Sequence, residues 1–150
     1  MIGQSYSYRC DPAVPGFDDT GPVIIFDGEC VFCSGWVKFL LKHDRRGRYR
    51  FLTAQSPLGN ALYRHYGLET RKYETNLLLD GGRPYFKSDA TLRVLGSLGM
   101  RWSLMRFLSV LPRSFRDWGY DIIARNRYRI AGRRSSCFVP TAADKHRFLA

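Results

Sequence analysis

The chain has 150 residues, 45% of them hydrophobic and 15% aromatic. That composition fits one globular domain with its own core and excludes a disordered chain. The formal net charge is +11, from 24 basic and 13 acidic residues, and no run approaches the ~18 apolar residues a membrane span requires.

Residues 1–21 read as an irregular leader, because Pro12, Pro15, Gly16 and Gly21 oppose regular structure. The leader has no apolar signal core, so the expected setting is cytoplasmic. The main domain is expected over 22–140, with 141–150 as a tail. Cys10, Cys30, Cys33 and Cys137 are too sparse for a secreted scaffold held by disulfides. In a reducing compartment a close pair of cysteines is catalytic or metal-binding more often than structural.

Val23-Ile24-Ile25-Phe26 is a continuous apolar run, as in a central strand buried on both faces. A helix should follow, with Cys33, Trp36, Val37, Leu40 and Leu41 on its inward stripe and Ser34, Lys38 and Lys42 off it. It should stop near Asp44. Tyr49 to Thr53 reads as a second strand, with Tyr49 and Phe51 on one face. Pro57 opens a second helix that runs to about Tyr66 and closes at Gly67. Asn76 to Leu79, the turn Asp80-Gly81-Gly82, and Tyr85-Phe86 read as a hairpin. Ser88 is the expected N-cap of a helix carrying Val94, Leu95 and Leu98 and ended by Gly99.

Strand-helix alternation followed by a hairpin is the element order of a thioredoxin-like α/β fold. Such a fold has a small mixed sheet flanked by helices; here extra C-terminal helices follow. Trp102 to Leu111 should pack on the domain, although Arg101 and Arg106 beside aromatics also suit a membrane surface. Ser114 and Asp117 form an incomplete capping box for a last helix expected to bury Phe115, Trp118 and Ile122 and to end near Gly132.

The chemistry concentrates where the first strand ends, in Asp27-Gly28-Glu29-Cys30-Val31-Phe32-Cys33. Gly28 permits a tight turn. Cys30 then starts a helix, where unpaired amides carry partial positive charge and stabilise a thiolate. The thiolate is the nucleophile of disulfide exchange, so a lowered pKa at Cys30 matters for rate. On the expected stripe Cys33 faces inward and Cys30 is the more exposed. That is an attacking thiol beside a sheltered resolving thiol. Asp27 either exchanges a proton with Cys33 from a buried position or is a turn aspartate bonded to nearby amides. Glu29 is expected to be exposed and non-essential.

These residues resemble the DCC family of thiol-disulfide oxidoreductases. The likeness extends over roughly residues 22 to 140, through Ser88-Asp89-Ala90 and the late segment from Tyr120 to Tyr128. The resemblance implies a thioredoxin-like fold, protein-disulfide exchange, nucleophilic Cys30, resolving Cys33 and supporting Asp27. No organic cofactor is needed. The implied partners are a disulfide-containing protein or small-thiol substrate and an electron donor. Thioredoxin itself carries a cis-proline ahead of its hairpin, whereas the matching stretch here, Tyr73 to Asn76, has none.

Other readings compete. Cys30 and Cys33 could ligate zinc or an iron-sulfur cluster, with Cys10, Cys137, His43, His65 and His146 as further candidates. A strand ending in Asp-Gly also resembles haloacid-dehalogenase-type phosphatases, but their second aspartate is Glu29 here. A non-catalytic basic module is a third reading. Arg45, Arg46, Arg48 and Arg50 form one cluster; Arg125, Arg127, Arg129, Arg133 and Arg134 form another. Either is a solvated basic face or a site for nucleic acid, anionic lipid or an acidic protein. Cys137 reads as a packed thiol and Cys10 as inessential. No histidine pairs with a cysteine in the manner of a protease.

Overall fold

The computed structural model describes residues 5–44, 46–68, 70, 76–98, 107, 108, 110–132, 142 and 145–149, with backbone alone at Phe32, Arg127, Tyr128, Ile130 and Ala131. Four strands form one mixed sheet: β1 (Val23–Phe26), β2 (Arg50–Thr53), β3 (Leu77–Asp80) and β4 (Arg83–Phe86), in the order β2-β1-β3-β4. β1 runs parallel to β2 and antiparallel to β3, and β3 pairs antiparallel with β4. Among the described residues the sheet is accompanied by helices α1 (Val31–His43), α2 (Pro57–His65), α3 (Lys87–Ser97) and α4 (Arg113–Ala131). This is the thioredoxin-like α/β arrangement.

All four residues of β1 are buried, because the strand is central and helices lie on both of its faces. Val23 and Ile25 join Leu52, Leu77 and Leu79 against Leu58, Leu62 and Tyr63 of α2. Ile24 and Phe26 join Phe51 and Leu78 against Val37 and Leu40 of α1 and Val94 of α3. Removing each such side chain from water contributes roughly 1.5–3 kcal/mol. Pro57 begins α2 behind the cap Ser56, whose hydroxyl accepts the Gly59 amide at 3.0 Å. Gly59 lies so close to β2 that a Cβ there would meet the Thr53 carbonyl at 2.2 Å. The hairpin turns on Gly81 and Gly82, at φ 60° and 76°, the left-handed geometry of a tight two-residue loop.

Four local expectations are corrected. The inward face of α1 carries Ser34, Val37, Leu40 and Asp44, one residue round from the expected stripe; Cys33 and Trp36 sit at its margin. Ser88 does not cap α3. Its hydroxyl bonds Asp117 of α4, and the cap position falls to Phe86.

Phe115, Trp118 and Ile122 of α4 are exposed, at 57%, 61% and 41%. The side of α4 turned to α1 and α3 is instead largely polar. Asp117 meets Ser88, Asp121 meets Lys87, Arg116 meets Asp89, and Tyr120 meets Asn76. The side with those partners is the one that docks, and the apolar residues are left outside. The segment ahead of α4 is likewise not packed down where it is described: Phe107 is 71% exposed and Val110 83%. Residues 99–106 and 133–141, with the expected stop at Gly99, lie outside the described residues.

Both chain ends pack on the domain. In the leader, Tyr8 is buried among the α2-side core residues, and the Tyr6 amide bonds the Gly82 carbonyl at 2.7 Å. Ser7, His65 and Asp11 form a hydrogen-bonded chain that ties the leader to α2, with both contacts at 2.8 Å. In the tail, Phe148 pairs with Phe51 at the β2 edge, and Arg147 forms a buried ion pair with Asp44 at 2.5 Å. Among the described residues no helix is long and apolar enough to cross a membrane.

Candidate active site

β1 delivers Asp27 to the top of the sheet, and the chain turns sharply at Gly28 and Glu29. The turn is pinned from inside. The Cys30 amide bonds the Asp27 carbonyl at 3.3 Å, and the Asp27 carboxylate accepts the Glu29 amide at 2.9 Å. Gln55, in the loop between β2 and α2, completes it. Its side-chain amide donates to the same Asp27 oxygen at 2.5 Å, and its carbonyl accepts the Gly28 amide at 3.0 Å. Asp27 is 2% exposed, so these bonds compensate a carboxylate removed from water. The turn role expected of Asp27 is therefore met.

Cys30 occupies the N-cap position of α1, with extended backbone at φ −83° and ψ 121°. Its sulfur accepts the Cys33 amide at 3.3 Å, as a capping oxygen does. One of the unpaired first-turn amides is thereby aimed at sulfur, which favours the thiolate. Cys30 and Cys33 stand one helical turn apart, and neither is in a disulfide.

The exposure of the two thiols is the reverse of the sequence expectation. Cys30 is fully buried, and Cys33 is only partly covered. The cause is the rotation of α1. Position 30 lies four residues before Ser34 and shares its inward face, while Cys33 falls at the edge. Beside them the Ser34 hydroxyl is buried without a hydrogen-bond partner among the described residues.

Two other elements reach this end of the sheet. Gly132, where the chain leaves α4, offers its carbonyl to the Val31 amide at 3.4 Å. Ile25 stands opposite Leu77, so Asn76 enters beside the end of β1. Asn76 bonds the Tyr120 hydroxyl through both its amide, at 3.1 Å, and its side-chain oxygen, at 2.6 Å. The stretch 73–75, where thioredoxin's proline was compared, and Cys137 lie outside the described residues.

A hollow of about 490 Å³ opens beside Gln55, walled by Pro57, Asn60, Arg64 and His65. A larger one, about 600 Å³, lies by Tyr49, Arg93 and Arg116 and contains none of the expected site residues; Arg93 and Arg116 are paired there with Asp80 and Asp89. The smaller is the one near the chemistry, because Gln55 connects it to the cysteine turn. Among the described residues no three histidine, cysteine or acidic side chains gather as a metal site. His43 bonds the Phe39 carbonyl, His65 is held between Ser7 and Asp11, and His146 is exposed. Asp27 is bonded into its turn rather than presented to a hollow, which does not suit a phosphatase nucleophile.

Sequence reasoning missed Gln55. A glutamine between a strand and a Ser-Pro helix start carries no signal of its own, and its role exists only because the β2-α2 loop folds against the turn after β1.

The chain is similar to proteins of bacteria and plants. It is 35% identical over 127 residues to the uncharacterized protein YuxK of Bacillus subtilis (strain 168), covering 85% of this chain and 93% of that one. It is 36% identical over 121 residues to a chloroplastic DCC family protein of Arabidopsis thaliana, covering 80% of this chain and 70% of the relative. No solved structure matches. The model of the DCC1-like thiol-disulfide oxidoreductases matches residues 24–133, from within β1 through the cysteine turn and the four described helices, and the chain belongs to that family.

Proposed function

We propose that this protein is a protein thiol-disulfide oxidoreductase working through Cys30 and Cys33, with Asp27 in support. The observation that carries the reading is the Cys33 amide directed at the Cys30 sulfur at 3.3 Å. That contact stabilises Cys30 as thiolate, and the thiolate is the species that attacks. Four cysteines in 150 residues suit a reducing, cytoplasmic setting better than a scaffold held by disulfides.

The Cys30 thiolate turns outward about its Cα–Cβ bond and attacks a substrate disulfide. A mixed disulfide forms and the first substrate thiolate leaves. Cys33, its proton accepted by the Asp27 carboxylate, attacks the Cys30 sulfur and displaces the second substrate thiolate. The Cys30–Cys33 disulfide remains, and two electrons have passed to the substrate. An external dithiol restores the pair. The hollow beside Gln55 offers a surface for the substrate chain, and no organic cofactor enters.

The test is trapping. Cys33→Ser should accumulate mixed disulfides through Cys30, and Cys30→Ser should abolish exchange. A Cys30→Ser protein that exchanges as well as wild type overturns the mechanism. The greater exposure of Cys33 favours a second reading, in which Cys33 attacks first. Mixed disulfides trapped on Cys33 in the Cys30→Ser protein would establish it.

A further inference from the structure

The outward face of α4 is divided along its length. Phe115, Trp118 and Ile122 recur at steps of three and four and form one exposed stripe. The same stripe continues into Arg125 and Arg129, both exposed. Phe107, Val110 and Leu111 extend its apolar end, exposed at 71%, 83% and 41%. Arg113, 72% exposed, is paired with Asp89 at 2.7 Å. The acidic residues of α4, Asp117 and Asp121, are turned inward onto Ser88 and Lys87. Among the described residues the stripe itself therefore carries aromatic and aliphatic groups and cations, and the acid beside its apolar end, Asp89, is held by Arg113.

From this geometry we infer that the α4 face docks on the surface of an anionic lipid bilayer. Charge complementarity selects the partner. The chain carries +11 overall, and Arg125 and Arg129 complement an anionic surface. Phe107 and Val110 are the most exposed of the face's apolar side chains. Exposed aromatics beside arginines suit the boundary between headgroups and acyl chains. Phe115 and Trp118 enter that boundary, and Arg125 and Arg129 meet lipid phosphates. The cysteine turn is not part of this face, so docking is independent of the redox reading.

The test is sedimentation of the full chain with vesicles of phosphatidylcholine alone and of phosphatidylcholine containing phosphatidylglycerol. Wild type should pellet with the anionic vesicles only and be released by salt. Phe115→Ser with Trp118→Ser should weaken binding more than about tenfold. Arg125→Gln with Arg129→Gln should weaken it about fivefold per arginine. All four side chains are exposed, and unchanged circular dichroism would verify the fold. Three results overturn the proposal: no pelleting of wild type with anionic vesicles, undiminished binding by the Phe115–Trp118 variant, or a wild-type dimer in analytical ultracentrifugation that this variant abolishes.

Discussion

Gln55 donates to the carboxylate of Asp27 from twenty-eight positions along the chain, and the same side chain receives the Gly28 amide. One residue thus holds both the acid and the turn that precede Cys30. Gln55→Leu removes both bonds at similar size and leaves the buried carboxylate short of a donor. The expected loss is about 1.5–3 kcal/mol of stability, read from urea unfolding, together with slower disulfide exchange. A variant that matches wild type in both would show that Asp27 is positioned without Gln55.

Arg147 and Asp44 are both about 8% exposed, and the guanidinium also bonds the Tyr49 carbonyl at 2.9 Å. Arg147→Met strands a buried aspartate, and the loss should be about 3–5 kcal/mol. Asp44→Asn with Arg147→Met should recover much of that loss, since neither charge is then left alone. Thermal unfolding of the three proteins checks the pair.

Gly59→Ala drives a methyl group into the Thr53 carbonyl at the crossing of α2 and β2. Because the obstacle is backbone, α2 must shift, and a loss of about 1–3 kcal/mol is expected. Gly35, with open space around it, serves as the comparison. Gly35→Ala should raise the stability of α1 slightly, since alanine is the better helix former.

Acid should detach the leader first. Asp19 is held below the ordinary carboxylate range by Arg9, Asp11 by the Ala13 amide and then His65, and Asp18 by the Thr20 hydroxyl. A carboxylate whose folded pKa is lowered adds stability above its unfolded value, and loses it as pH falls through the folded value. The leader contacts should therefore be intact above about pH 4 and fade below it. Limited proteolysis with an acid-active protease should cut near residues 11–19 in that window while α1 and the sheet stay protected. Uniform cleavage across the chain would contradict this order.

The apolar run at β1, the Pro57 helix start, the Gly81-Gly82 turn and the paired cysteines were readable because each depends on neighbours in the chain. A strand buried on both faces, a helix opened by proline, and a turn needing positive φ are local matters. The thiol exposures were not readable. A stripe drawn through Cys33, Trp36 and Val37 lies one residue from one drawn through Ser34, Val37 and Leu40, and apolarity alone does not separate them. Likewise Phe115, Trp118 and Ile122 pointed to a buried face, because an amphipathic pattern does not tell which side docks.

The amino-acid sequence alone set the identity of the chemical groups and their spacing: Asp27, Gly28, and two thiols one helical turn apart after a buried strand. Only tertiary packing decided how α1 is rotated on the sheet, which thiol is covered, that Gln55 braces the turn, and that α4 faces inward with its polar side. Those outcomes rest on contacts between residues far apart in the chain, such as those of α4 with Ser88, Lys87 and Asp89, which a local hydrophobic pattern does not reveal.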